Sequence, residues 1–227
     1  MNKLKKLGYY TFLTQILNFV PFVIITLYFD KLVYGEFATN ISVISILGIT
    51  SVLKLDIYNI EKNKQFKFQQ ILKYLIIVWV ISYCVLWFNN LIVFLGIMTI
   101  ISIGLYDYTA HCLLQNNLID KFNRFRLARV VIILISYNLF WLFEVSVTLL
   151  ILIELLSKFI PFLLFYPHQN VGDKISNQDV INTFKISFSW FINNSVILLI
   201  PFILSNNVEL EELGWYYIFF KGINQVE

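Results

Sequence analysis

Apolar residues fall along this chain in long blocks, not in strict alternation or narrow stripes. Blocks of about 20 residues recur from one end to the other, the length of helix needed to cross roughly 30 Å of hydrocarbon. They predict eight spans, at about 8–29, 37–55, 71–88, 91–112, 127–143, 145–165, 184–204 and from 213 onward. Short polar stretches separate them. These are a tight turn at 30–35, with helix resuming after Gly35, a charged stretch at 54–73, and a turn at Asn89 and Asn90. A basic loop with Lys121, Arg124, Arg126 and Arg129 follows, then a turn at Glu144, a polar loop at 167–183 and an acidic loop with Glu209, Glu211 and Glu212. The expected fold is an all-α membrane protein, a polytopic helical bundle.

Two landmarks of the first blocks recur late in the chain. Pro21 and Pro201 are 180 positions apart, and Gly35 and Gly214 are 179 positions apart. A shared period of that size predicts two similar halves. The boundary falls near 180, giving a six-span unit over 1–180 and the opening of a second unit over 181–227.

Composition agrees with the block pattern. The chain is 59% hydrophobic and 14% charged, with a mean hydropathy of +0.74, whereas soluble domains carry about 25% charged residues. The net charge of +3 matters less than its placement. The N-terminus and the connections after spans 2, 4 and 6 hold 14 of the 17 Lys and Arg residues, and the alternate connections hold only Lys31. By the positive-inside rule the N-terminus is cytoplasmic. Dispersed basic residues between apolar spans give no nucleic-acid signature. Lys3, Lys5 and Lys6 precede an apolar run too long for a signal peptide, which reads as a retained first span. Cys84 and Cys112 both lie in spans without metal-ligand spacing and read as small packing residues; no cofactor is expected.

Ionisable groups inside spans are costly and are the first functional suspects. Asp107 and His111, four apart in span 4, form a potential proton relay or, more simply, a hydrogen-bonded pair between the anchors Tyr106 and Tyr108. Glu154 and Lys158 in span 6 are four apart in the favoured order for a same-face pair, and read equally as an ion-coupling group or as a neutralised packing pair. Thr11, Thr14, Gln15 and Asn18 align in span 1, as do Ser187, Trp190 and Asn194 in span 7. Such polar faces line a wet cavity or glue helices together, and the equivalence of spans 1 and 7 favours a shared cavity. Ser42, Ser45, Gly48 and Ser51 form a row of small residues suited to close packing. No nucleotide-sugar D-x-D, phosphate-binding Gly-rich loop or zinc-type histidine spacing is present, so nothing argues for an enzyme.

Three stretches resemble flippases for lipid-linked oligosaccharides, the O-antigen and capsule repeat-unit transporters of the multidrug/oligosaccharidyl-lipid/polysaccharide exporter superfamily. They are P-F-V-I-I-T-L-Y-F-D-K-L-V-Y-G-E-F-A at 21–38, V-L-K-L-D-I-Y-N-I at 52–60 and L-G-W-Y-Y-I-F-F-K at 213–221. The resemblance implies a two-lobed, MATE-like bundle of about twelve to fourteen helices that opens alternately to each side of a bacterial inner membrane. It implies a polyprenyl-diphosphate-linked oligosaccharide as substrate, driven by an ion gradient or the membrane potential. Lys221 matches the basic position of span 8 and would contact the diphosphate; lysine keeps the charge but not the bidentate fork of arginine. Lys54 matches a basic position at the inner end of span 2 and reads more simply as snorkelling to headgroups. Family members are about twice as long, so the resemblance implies that these residues act only with a second copy or a separate second half. Two other readings stand beside it: a cation-coupled drug exporter of the same fold, and a membrane-bound polymerase or acyltransferase of polysaccharide synthesis.

Overall fold

The computed structural model describes residues 3–28, 30–50, 91–139, 145–166, 174–205 and 207–224, together with Tyr58, Phe66 and scattered positions over 70–80. Seven α-helices lie within them: α1 (Lys3–Tyr28), α2 (Lys31–Thr50), α3 (Leu91–Gln115), α4 (Ile119–Leu139), α5 (Val147–Phe165), α6 (Asn177–Leu204) and α7 (Leu210–Asn224). No strand occurs among the described residues, and the all-α expectation holds there. Among the described residues two stretches are long and apolar enough to cross a membrane, Phe94–Gln115 in α3 and Val147–Phe165 in α5. The turn expected at Asn89 and Asn90, and most of the span at 71–88, lie outside the described residues.

Helix ends follow local chemistry. Ser146 caps α5 by accepting a hydrogen bond from Leu149 N, and Ser176 and Asp179 form a reciprocal capping box on α6. Glu211 and Glu212 sit in the first turn of α7, where negative charge meets the positive end of the helix dipole. Between α3 and α4, Asn117 adopts φ 55°, a left-handed conformation that asparagine tolerates better than most residues.

Several boundaries differ from the sequence expectation, and α6 and α7 begin at Asn177 and Leu210, inside stretches expected as polar and acidic loops. Helix α2 begins at Lys31, not after Gly35, because Asp30 Oδ1 accepts a hydrogen bond from Leu32 N at 2.9 Å and starts the helix five residues early. Gly35 is therefore a helical residue. The basic stretch 121–129, expected as a loop, is the first half of α4, with Asp120 in its first turn. Arginine and lysine are good helix formers, and their charge hid the helix from a hydropathy reading.

The core is assembled around α2 and α5. Tyr34, Phe37, Ile41 and Ile44 of α2 meet Ile100 and Ile103 of α3, Tyr137 of α4, Leu150, Ile151 and Ile153 of α5, and Ile218 of α7. Of the small-residue row, Ser42 and Gly48 are buried and Ser51 lies outside the described residues; a side chain at Gly48 would press on Ile103, and one at Gly96 of α3 would press on Ile44. A second cluster joins Tyr58, Phe66, Ile71 and Leu75 to α3 through Leu105, Tyr108 and Cys112, and to Phe162 of α5. Cys112 is buried and not part of a disulfide; Cys84 is outside the described residues.

Candidate functional site

The first candidate feature is a crossing of α2 and α7 at two glycines. A methyl group on Gly35 would run into the Leu210 carbonyl, and one on Gly214 would run into the Lys31 carbonyl. Each added carbon would also lie 3.2 Å from the backbone nitrogen of the other glycine. Lys31 and Leu210 are 179 positions apart, as are Gly35 and Gly214. The contact is thus unchanged when each residue is exchanged for its counterpart one period away, the signature of a two-fold, self-complementary interface. Small residues permit such backbone approach between apolar helices.

Aromatic and charged groups frame this crossing. Tyr34 lies 5.8 Å from Tyr217 and 5.6 Å from Phe37, ring centre to ring centre. At the start of α2 the Lys31 ammonium stands 4.8 Å from the centre of the Trp215 ring, a cation–π geometry. Burial lowers the Lys31 pKa from its ordinary value, against the pull of the Asp30 and Glu211 carboxylates.

The second feature lies deeper in the bundle. Lys158 Nζ donates to Glu154 Oε2 at 2.5 Å, and Glu154 is 6% exposed. The i, i+4 spacing on α5 delivers this pair as the sequence predicts. Two further groups join it that sequence reasoning missed. The Arg129 guanidinium of α4 stands 5.5 Å from the ring centre of Tyr106 on α3, a cation–π geometry, and lies within electrostatic reach of Glu154 and Asp107. The Arg129 Nε itself is buried without a hydrogen-bond partner. Tyr106 in turn stacks on Phe125, centroids 4.3 Å apart. The available signal was the three-residue spacing of Arg126 and Arg129, which continues a helix into the apolar block; reading the stretch as a loop concealed it.

The remaining candidates fare differently. His111 Nδ1 lies 2.8 Å from the Asp107 backbone carbonyl, and Tyr106 and Tyr108, expected as anchors beside this pair, are both buried. Thr14 turns its hydroxyl to the Tyr10 and Thr11 carbonyls of its own helix, so it does not offer a free polar face. Gln15 is half-buried. Ser187 is buried with its hydroxyl unpartnered, whereas Trp190 is 40% exposed. The side chains of Asn18, Asn194 and Lys221 lie outside the described residues, as does Lys54. Helices α1 and α6 make no contact with each other among the described residues.

At the far end of α6, Asp179 accepts hydrogen bonds from Ser176 N, Ser176 Oγ and, at 2.7 Å, the Tyr58 hydroxyl. Gln70 accepts from Ile175 N at 2.7 Å. This clasp ties the start of α6 to the segment that follows α2.

The fold and these features define an α-helical bundle with a buried charge group and a glycine crossing of two helices one period apart. The chain matches no protein-family model, no curated protein and no solved structure.

Proposed function

We propose that the chain is a multi-pass membrane transporter that flips polyprenyl-diphosphate-linked oligosaccharide repeat units for cell-surface polysaccharide synthesis. In this reading 1–180 is a six-helix lobe of a two-lobed, MATE-like transporter, and 181–227 opens the second lobe. The N-terminus faces the cytoplasm of a bacterial inner membrane, and the role is transport, not catalysis. The observation that carries the proposal is the Gly35–Gly214 crossing. Alternating access needs equivalent helices of two halves to meet and part, and a contact between bare backbones separates without repacking interlocked side chains. Charge placement puts this crossing at the outer face.

Lys221 is the proposed diphosphate contact, with Gln15, Asn18, Trp190 and Asn194 as cavity candidates. Glu154 with Lys158 is the leading ion-coupling group, ahead of Asp107 with His111, because it combines deep burial with a direct ion pair. The lipid bilayer is the solvent, and a second copy or a separate second half is the expected protein partner. Deleting the gene in its own host is expected to leave lipid-linked repeat units on the cytoplasmic face and to deplete surface polysaccharide. Unchanged surface polysaccharide overturns the proposal. A cation-coupled drug exporter of the same fold, which would want a more defined acid pair than Glu154 with Lys158, would be revealed by the same deletion as drug sensitivity with polysaccharide intact.

A further inference from the structure

The first turns of α6 bury a polar face. Asp179, Thr183 and Ser187 recur every four residues and so lie above one another, and they are 2%, 0% and 3% exposed. Ile181, Phe184 and Phe188 point away from that face and are exposed. Polar groups turned inward on a membrane helix either bond a neighbouring helix or meet water. The bonding of this face decides between the two. Helix α6 packs on α2, yet Thr183 donates its hydroxyl to the Val180 carbonyl of its own helix. The Ser187 hydroxyl has no partner among the described residues. Neither hydroxyl ties α6 to another helix, so the two are not glue. A buried hydroxyl without a partner is costly, and water is the group that satisfies it. Only Asp179 bonds across, accepting from the Tyr58 hydroxyl at 2.7 Å while Ser176 N and Oγ occupy its other oxygen.

We propose that this face of α6 walls a narrow aqueous track, entered from the cytoplasm at Asp179 and reaching Ser187, about 12 Å further along the helix. The ligand is water. The Asp179 carboxylate stands at the mouth, where it draws cations and repels anions, and its bond from Tyr58 holds the mouth closed. The track runs on a different side of α6 from the exposed Trp190, so it is a second polar wall and not the cavity face proposed above. It rests on the proposed orientation, which puts the start of α6 in the cytoplasm, and not on the identity of the substrate.

Single cysteines test the track, each in a chain that also carries Cys84→Ala and Cys112→Ala. Thr183→Cys, Ser187→Cys, Phe188→Cys and, at the exposed start of the helix, Gln178→Cys are treated in inverted and in right-side-out membrane vesicles. The reagents are membrane-impermeant methanethiosulfonates, which need a hydrated thiolate. Thr183→Cys and Ser187→Cys are expected to react many-fold faster than Phe188→Cys, and from the cytoplasmic side. Tyr58→Phe is expected to speed both several-fold. A cationic reagent is expected to outpace an anionic one until Asp179→Asn removes the difference. Equal rates on the two faces of α6 overturn the track, and rates indifferent to Tyr58→Phe or to Asp179→Asn overturn its mouth. Labelling of Gln178→Cys only from the outer side overturns the orientation, while the contrast between the two faces would stand.

Discussion

The α2–α7 crossing and the Glu154 group are both helix contacts in one bundle, built on opposite physics. The crossing joins two backbones with nothing between them: Gly35 and Gly214 each occupy space that a single carbon would fill. The Glu154 group joins α2 through α5 with long side chains, charges and rings. The first contact is intolerant of added atoms and indifferent to their chemistry. The second tolerates changes of volume better than the loss of one charge, because a buried ion without its partner keeps its desolvation cost. A contact of the first kind suits a seam that opens, and one of the second kind suits a group that senses charge.

The sharpest way to break this contrast is at the ion pair. Glu154→Gln or Lys158→Met alone is expected to cost about 3–5 kcal/mol, while the double variant recovers most of the loss. Denaturant titration of the purified protein checks this; additive losses would mean that the two groups act independently. Next in size, Gly35→Ala or Gly214→Ala is expected to cost about 3 kcal/mol, the upper end for overpacking, since the obstacle is backbone and not a flexible side chain. Thermal unfolding that leaves either variant unchanged would remove the close crossing.

Tyr58→Phe, which strips one donor from the buried Asp179 carboxylate, is expected to cost about 2 kcal/mol. Faster proteolysis at the start of α6 would report it. Smallest is Gly8→Ala in α1, where an added carbon meets nothing within 4 Å. It is expected to stabilise by less than about 1 kcal/mol, since alanine is the better helix former. A loss there as large as at Gly35 would show that the glycine effect is not one of space.

Much of this arrangement was legible in the residues, though unevenly. Block hydropathy placed the helices, because an apolar run must satisfy its backbone internally whatever packs against it. The i, i+4 rule delivered the Glu154–Lys158 pair, because that contact lies within one helix. The period linking Gly35 to Gly214 was visible, but not that the two glycines touch, since contact between equivalent positions depends on how helices dock. The same limit hid Arg129 and Tyr106, whose meeting joins different helices. Gly35 was misplaced in a turn because glycine signals both turns and close approaches, and Asp30 decides between them only through its capping bond.

Chemical cross-linking reads the close approach of α2 and α7 without intermediary. Cysteines at Lys31 and Glu211, in a chain carrying Cys84→Ala and Cys112→Ala, are treated in native membranes with a reagent spanning about 10 Å, the separation of packed helix axes. The account predicts efficient linkage within the chain, abolished by Gly35→Leu. Absence of linkage in the parent, or linkage that survives Gly35→Leu undiminished, would contradict it.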